Sequence, residues 1–384
     1  MRKTLLVTND FPPRPGGIQS YLQRFLAELP AESIGVYCST WHPERCQKYD
    51  AEQAFPICRN PTSVLLPTPN VCKEVAQLVR EHHYETVWFG AAAPLALMSH
   101  YLRKHTEVKN IVASTHGHEV GWAMLPFAHA SLRIIGNGCD TITYVSEYTK
   151  RRIEKAIGEH PQFVHLPSGV DTKRFHPAAD TTGMIRKRHS IASEDPLIVC
   201  ISRLVPRKGQ DTLISVMPEV LHTHPETKLL IVGGGPYARH LQKKAQNLGL
   251  HKSVIFTGLV PDEDLPSYYA AADIFAMPCR TRGRGLDVEG LGIVFLEASA
   301  AGVPVIVGDS GGAPETVQDE VTGLAVDGHR PDTVKKALLR LLDHPEWART
   351  LGEQGRAWVQ TEWNWGKLGK RLRDVLNQHR KMES

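Results

Sequence analysis

Short apolar runs alternate with amphipathic stretches along nearly the whole chain, and this alternation restricts the fold more than any other feature. Residues 5–8, 34–38, 86–89, 111–114 and 141–145 read as buried strands. Between them run helical patterns over residues 18–29, where Ile18, Tyr21, Leu22, Phe25, Leu26 and Leu29 share a stripe, and over residues 72–82. A strand that is apolar at every position needs cover on both faces. Intervening helices supply it, so the pattern predicts a parallel sheet between helical layers. The alternation breaks at His165-Leu166-Pro167-Ser168-Gly169-Val170-Asp171, and a polar segment runs to Pro196. A second series then begins, with strands expected over residues 197–202, 228–232, 254–257, 274–277 and 303–307. At 384 residues the chain exceeds what one core usually serves. The expectation is α/β: two doubly wound, Rossmann-like halves joined near residues 169–196, with ligand held between them at the carboxyl ends of the strands. The basic helical pattern over residues 363–381 is not assigned to either half by sequence alone.

Composition narrows the function classes. A formal net charge of +4 is too small for the concentrated basic stripe of a nucleic-acid binder, although it suits contact with an anionic membrane surface. No stretch approaches the ~18 uninterrupted apolar residues of a spanning helix. The start Met1-Arg2-Lys3 followed by a short apolar run resembles a secretory signal. The run is brief, and Asp10, Pro12 and Pro13 follow at once, so a first strand is the better reading. The cysteines Cys38, Cys46, Cys58, Cys72, Cys139, Cys200 and Cys279 are scattered and form no C-x-x-C pair, which argues for free thiols rather than a zinc or redox motif.

Four motifs carry chemistry. Phe11-Pro12-Pro13-Arg14-Pro15-Gly16-Gly17 follows the first strand and precedes a helix. Two glycines there admit a ligand close to the backbone beside a helix N-terminus; a plain strand-to-helix turn reads the same way. Ile201-Ser202-Arg203-Leu204-Val205-Pro206-Arg207-Lys208-Gly209-Gln210 closes the first strand of the second half. Arg203 and Lys208, five residues apart across a proline turn, can converge on one pyrophosphate, the Arg as a fork and the Lys as a point charge. Glu289-Gly290-Leu291-Gly292-Ile293-Val294-Phe295-Leu296-Glu297 sets two carboxylates around a glycine turn and a helical pattern. Glu289 on the loop would face a polyol while the amides of Leu291, Gly292 and Ile293 point at an anion, with Glu297 reaching another part of the ligand. Ser114-Thr115-His116-Gly117-His118-Glu119 ends a first-half strand, and one of its histidines could meet a reacting sugar or be structural. The apolar stretch Gly121-Trp122-Ala123-Met124-Leu125-Pro126-Phe127, near Arg133, reads as a buried helix start or as an acceptor- or lipid-facing surface.

These four motifs, in this order, resemble the retaining nucleotide-sugar glycosyltransferases of the GT-B fold, over nearly the whole chain. Val7-Thr8-Asn9-Asp10-Phe11-Pro12-Pro13, Trp88-Phe89-Gly90-Ala91-Ala92-Ala93-Pro94-Leu95-Ala96 and Pro278-Cys279-Arg280-Thr281-Arg282-Gly283 resemble, more narrowly, the actinobacterial phosphatidylinositol mannosyltransferases, in particular those that add the second mannose. The resemblance implies two Rossmann-like domains facing across a cleft. One spans residues 1–169 plus a crossing-back segment 363–384, on the acceptor side; the other spans 170–362 and binds the donor. It implies GDP-mannose as donor, no obligatory metal, a phosphoinositol glycolipid acceptor and no nucleic acid. It also implies peripheral association with the cytoplasmic face of the plasma membrane. Carried over by motif, Gly16 and Gly17 approach the donor diphosphate, and Arg203 and Lys208 neutralise it. Glu289 with the amides of Gly290, Leu291, Gly292 and Ile293 holds the mannose hydroxyls, with His118 near O6. Glu297 contacts the ribose, Val260 and Asp262 read guanine, and Gln19 is the choice for the acceptor.

Rival readings remain. Donor motifs would be shared by a mannosyltransferase acting on a glucuronosyl diacylglycerol. Asp262-Glu263-Asp264 is a literal Asp-x-Asp of the kind that holds a metal, but it also suits the acidic start of a helix over residues 265–271. Gly233-Gly234-Gly235-Pro236-Tyr237-Ala238 fits the dinucleotide fingerprint of an NAD(P)-dependent oxidoreductase. Against that, it does not follow the first strand of its half, and Pro236 removes an amide where a pyrophosphate would sit. A sugar- or lipid-binding protein without catalysis is the third class.

Overall fold

The computed structural model describes residues 1–180 and 182–378, so residues 379–384 of the expected C-terminal segment lie outside the described residues. The chain divides into two compact units, Met1–Ser168 rejoined from Trp365 onward, and Gly169–Asn364.

In the first unit the strands are β1 (Thr4–Thr8), β2 (Ile34–Ser39), β3 (Ile57–Asn60), β4 (Thr86–Phe89), β5 (Asn110–Thr115), β6 (Thr141–Tyr144) and β7 (Gln162–His165). They form a parallel sheet in the order β3-β2-β1-β4-β5-β6-β7. Central β1 pairs with β2 from Thr4↔Ile34 and with β4 from Thr4↔Thr86. Alternation along the strands builds two cores: Leu5, Val7, Val87 and Phe89 pack on one face, Leu6, Val36, Trp88 and Val112 on the other. The second face is completed by the helix Trp365–Leu376, whose Leu368, Leu372, Val375 and Leu376 are buried there. Thr86 Oγ1 and Asn110 Nδ2 donate to the last carbonyls of that helix, Leu376 O at 2.9 Å and Val375 O at 2.9 Å, satisfying groups the helix end leaves open.

The second unit contains β8 (Leu197–Ile201), β9 (Lys228–Val232), β10 (Val254–Gly258), β11 (Ile274–Met277), β12 (Val305–Gly308) and β13 (Gly323–Val326), parallel in the order β10-β9-β8-β11-β12-β13. The polar stretch before β8 is not a free linker. Phe175, Ile185 and Ile191 anchor it in this unit's core beside Val170. In each sheet the chain reverses its direction of travel once, between β1 and β4 and between β8 and β11. Loops diverge above such a reversal and leave a crevice at the carboxyl ends of the two strands. Three of the four candidate motifs follow β1, β8 and β11 at those ends, and the fourth follows β5, the neighbour of β4.

Candidate active site

In the second unit the site is assembled by loops that follow β8, β11 and β12. After β8 the chain passes Arg203, makes a 3-10 turn Pro206–Lys208 and enters the helix Gln210–Thr223 through Gly209, which is left-handed at φ 78°. A side chain at Gly209 would place its Cβ 2.0 Å from Pro278 O, so only glycine lets this loop lie against the one after β11. Gln210 Nε2 donates to Ser202 Oγ at 2.8 Å and to Arg203 O at 3.2 Å, bracing the loop from the helix start. The fingerprint-like glycines serve the same loop. A Cβ at Gly233 would meet Ser202 O at 2.1 Å and one at Gly235 would meet Leu204 O at 2.3 Å. Backbone packing, not a dinucleotide, accounts for that motif.

Glu289 lies within this assembly. Its backbone N donates to Ser310 Oγ at 3.2 Å, and its carbonyl accepts from Gly312 N at 3.0 Å. Lys208 Nζ lies 2.6 Å from Glu289 Oε2, each side chain 10% exposed, so the two charges compensate each other away from bulk water. Arg207 approaches the same oxygen at 3.9 Å and Asp287 Oδ1 at 3.3 Å. Arg203, by contrast, is exposed, and among the described residues its side chain has no ion-pair partner. The chain turns through Gly292, left-handed at φ 84°, into the helix Ile293–Ala300. Phe295 N donates to Gly292 O at 3.0 Å, and the amides ahead of it face outward from the positive end of the helix. Cys279, close to Glu289 and Lys208, donates its thiol to Gly308 O at 3.5 Å, and burial pushes the thiol up to about 12.

Glu297 projects from the same helix and accepts from Tyr269 Oη at 2.6 Å. Burial raises its pKa above the ordinary 4.5; the Tyr269 hydrogen bond and Arg174 oppose the rise, and Asp262 adds to it. Asp262 lies in a 3-10 turn before the helix Leu265–Ala270 and is ion-paired with Arg174 at 2.6 Å. Asp264 is held by Arg188 at 2.7 Å, so the acidic triplet is engaged by arginines at its first and third residues. Val260 packs partly buried against the core next to Leu259, which is 84% exposed. Arg174 and Tyr269 are not legible as site residues in the sequence, because neither stands in a motif.

In the first unit the loop after β1 is tied down from several sides. Arg59 bonds Asp50 and donates to Pro12 O at 2.7 Å, and Asn9 exchanges hydrogen bonds with the backbone of Leu65. Gln19 is 6% exposed, and its amide donates to Asp10 Oδ1 at 3.0 Å. Its Oε1 would lie 2.1 Å from a Cβ at Gly16, so Gln19 fills the space a side chain there would need, whereas a Cβ at Gly17 meets nothing within 4 Å. The structure therefore places Gln19 as a brace of the Gly16 loop.

The two histidines after β5 separate cleanly. His116 Nε2 lies 2.7 Å from Gly90 O, its ring meets Tyr21 edge-on at 4.8 Å, and burial lowers its pKa below 6.5. His118 is 40% exposed on its side chain, with Nε2 3.2 Å from Oε1 of the fully buried Glu119. Glu119 Oε2 accepts from the amides of His116 and Gly117 at 3.1 and 3.2 Å, closing a turn that Gly117 makes at φ 102°. Glu119 adjoins His118 in sequence, which is its only signal.

Residues 182–358 match the model for glycosyl transferases group 1, and residues 15–174 match glycosyltransferase family 4. Anabaena HepE, solved in complex with UDP, superimposes with a TM-score of 0.80 over 97% of this chain and 99% of its own, at 18% identity. WaaG, a glycosyltransferase involved in lipopolysaccharide biosynthesis, gives 0.68 over 97% and 99%, at 20% identity. These likenesses establish the GT-B fold. The GDP-mannose-dependent alpha-(1-6)-phosphatidylinositol monomannoside mannosyltransferase of Mycolicibacterium smegmatis is 51% identical over 98% of both chains. The enzyme of Corynebacterium glutamicum that acts on the monoacylated monomannoside is 52% identical over 98% of both. The chain is a nucleotide-sugar glycosyltransferase and belongs to the family of the GDP-mannose-dependent phosphatidylinositol monomannoside mannosyltransferases.

Proposed function

We propose that the protein moves mannose from GDP-mannose to a phosphatidylinositol monomannoside, giving the dimannoside with retention at the anomeric carbon. The observation that carries this reading is the compensated Lys208–Glu289 pair at the amino end of the helix Ile293–Ala300, with exposed Arg203 on the adjoining loop. As the C1–O bond breaks, its electron pair leaves with the β-phosphate of GDP and the sugar gains oxocarbenium character. Arg203 and Lys208 stabilise the phosphate charge where it develops, aided by the amides of Leu291, Gly292 and Ile293. Glu289, with Gly290, receives the mannose hydroxyls, and His118 meets O6. Glu297 accepts from the ribose. Val260 and Asp262 border guanine, and Arg174 aims the Asp262 carboxylate. Gly16 and Gly17 admit the diphosphate, and Gln19, which braces their loop, is the residue that meets the acceptor. The acceptor hydroxyl attacks C1 from the face GDP leaves, and its proton passes to a phosphate oxygen of GDP. The proposed steps call on no metal.

We further propose that the protein works at the cytoplasmic face of the plasma membrane. Met124, Leu125 and Ile134 are 46%, 62% and 46% exposed and lie on consecutive segments with exposed Arg133; Arg151 and Arg152 are exposed on the helix Glu147–Ile157, packed against theirs. Apolar side chains among arginines suit anionic lipid. The side chains of Pro126 and Phe127 lie outside the described residues.

The test is transfer from labelled GDP-mannose into lipid, with phosphatidylinositol monomannoside, phosphatidylinositol and glucuronosyl diacylglycerol as acceptors. Label is expected in a dimannoside from the monomannoside alone. Label only in the glucuronosyl lipid would overturn the acceptor, and absence of GDP release would overturn the donor. Arg203→Ala is expected to lower kcat by about 10²-fold while GDP affinity falls far less.

A further inference from the structure

We infer that Glu119 is a positioning residue for transfer: it sets the tautomer and direction of the His118 imidazole. The inference rests on the proposed contact of His118 with the transferred sugar. Glu119 is 0% exposed, and a carboxylate so placed needs partners for both oxygens. Oε2 has them in the amides of His116 and Gly117. Oε1 is buried and, among the described residues, forms no aligned hydrogen bond; His118 Nε2 lies 3.2 Å from it. No lysine or arginine pairs with Glu119 among the described residues.

The chemistry of the pair decides the rest. The Glu119 charge, 3.2 Å from Nε2 without an aligned hydrogen bond, electrostatically favours the proton on the ring nitrogen that faces it. In the neutral ring this puts the proton on Nε2 and leaves the Nδ1 lone pair on the outward side, ready to accept from a sugar hydroxyl. Gly117 and the two amides on Oε2 hold the carboxylate fixed, so the imidazole is aimed before substrate arrives. Neighbouring His116 cannot take the role, since its ring is spent on Gly90 O and Tyr21. The assigned tautomer makes the site selective for a hydroxyl that can donate at that position. A 6-deoxy donor, GDP-rhamnose for instance, lacks it.

The experiment is Glu119→Gln, made alone and with His118→Ala, in the full-length protein. Because Oε2 faces two backbone donors, the carboxamide keeps its oxygen there and turns its N–H toward Nε2, which favours the opposite tautomer. Expected are a kcat reduced by up to about 10²-fold, GDP affinity within twofold of the parent, and an intermediate kcat for Glu119→Asp. In the His118→Ala background Glu119→Gln is expected to cause no further loss. Nitrogen NMR of the unmodified protein is expected to show the neutral His118 ring protonated on Nε2, a readout independent of whether any variant folds. Protonation on Nδ1, an unchanged kcat in Glu119→Gln, or an equal loss in both backgrounds would overturn the role of Glu119. If His118→Ala itself leaves kcat unchanged, the sugar contact of His118 fails instead, and the tautomer measurement stands apart from it.

Discussion

Lys208 and Glu289 show what a residue pair can reveal about function. Two opposite charges, each 10% exposed, stabilise a fold less than a well-packed apolar pair of the same volume, yet losing one partner leaves the other uncompensated. Glu289→Gln or Lys208→Met alone is expected to cost about 3–5 kcal/mol of stability. The double variant Lys208→Met with Glu289→Leu is expected to regain most of that in denaturant unfolding while transfer stays abolished. Recovery of activity along with stability would show that the pair is structural. Glu297 adds a pH-dependent element. Its raised pKa means that, as pH falls, the carboxylate is protonated sooner than an ordinary glutamate. GDP affinity is expected to weaken on acidification, beginning above pH 4.5, and Glu297→Gln is expected to flatten that part of the titration.

At the scale of elements, the loops after β8, β11 and β12 depend on glycines more than on polar side chains. Gly209→Ala brings a Cβ to 2.0 Å from Pro278 O at a left-handed position, so it is expected to lower both Tm and kcat. Gly17→Ala meets nothing within 4 Å and is expected to keep Tm, with any loss confined to donor turnover. Burial of His116 in the turn after β5 links that element to pH. Its folded pKa lies below 6.5, so the unfolded chain binds the proton first. The stabilisation is intact above 6.5 and is lost as pH falls from there toward the lower folded value. Calorimetry from about pH 7.5 down to about pH 5.5 should show Tm falling, with a smaller fall in His116→Gln.

For the whole molecule, two compact units predict two separable responses. Leu372, 0% exposed in the first unit, comes from the helix that follows the second unit in the chain. Leu372→Ala is expected to destabilise the first unit by about 2–5 kcal/mol. Saturating GDP is expected to raise the transition affected by Glu289→Gln, by up to about 2.7 kcal/mol at a hundredfold excess over Kd, and the one affected by Leu372→Ala by less. Scanning calorimetry of both variants with and without GDP distinguishes them.

Buried strands are legible because nearly every position is apolar. The runs 86–89, 228–232 and 274–277 coincide in sequence and structure, as β4, β9 and β11. Of the strands that sequence leaves unmarked, β3 and β7 lie at sheet edges, where one side meets solvent and the apolar signal thins, whereas β13 is apolar but only four residues long. The glycine, arginine and carboxylate motifs are legible because close backbone approach and anion chemistry demand particular residue types at short spacing. Composition and periodicity therefore suffice for the two parallel α/β halves and for motifs on the loops that follow β1, β5, β8 and β11. It takes the folded chain to bring Arg174 to Asp262 across 88 positions, to set Gln19 as a brace of a loop, to stand Glu119 behind His118 and to lay the helix Trp365–Leu376 on the second face of the first sheet. Those contacts join residues distant in sequence, or turn on which way a buried side chain points, and local periodicity carries no record of either.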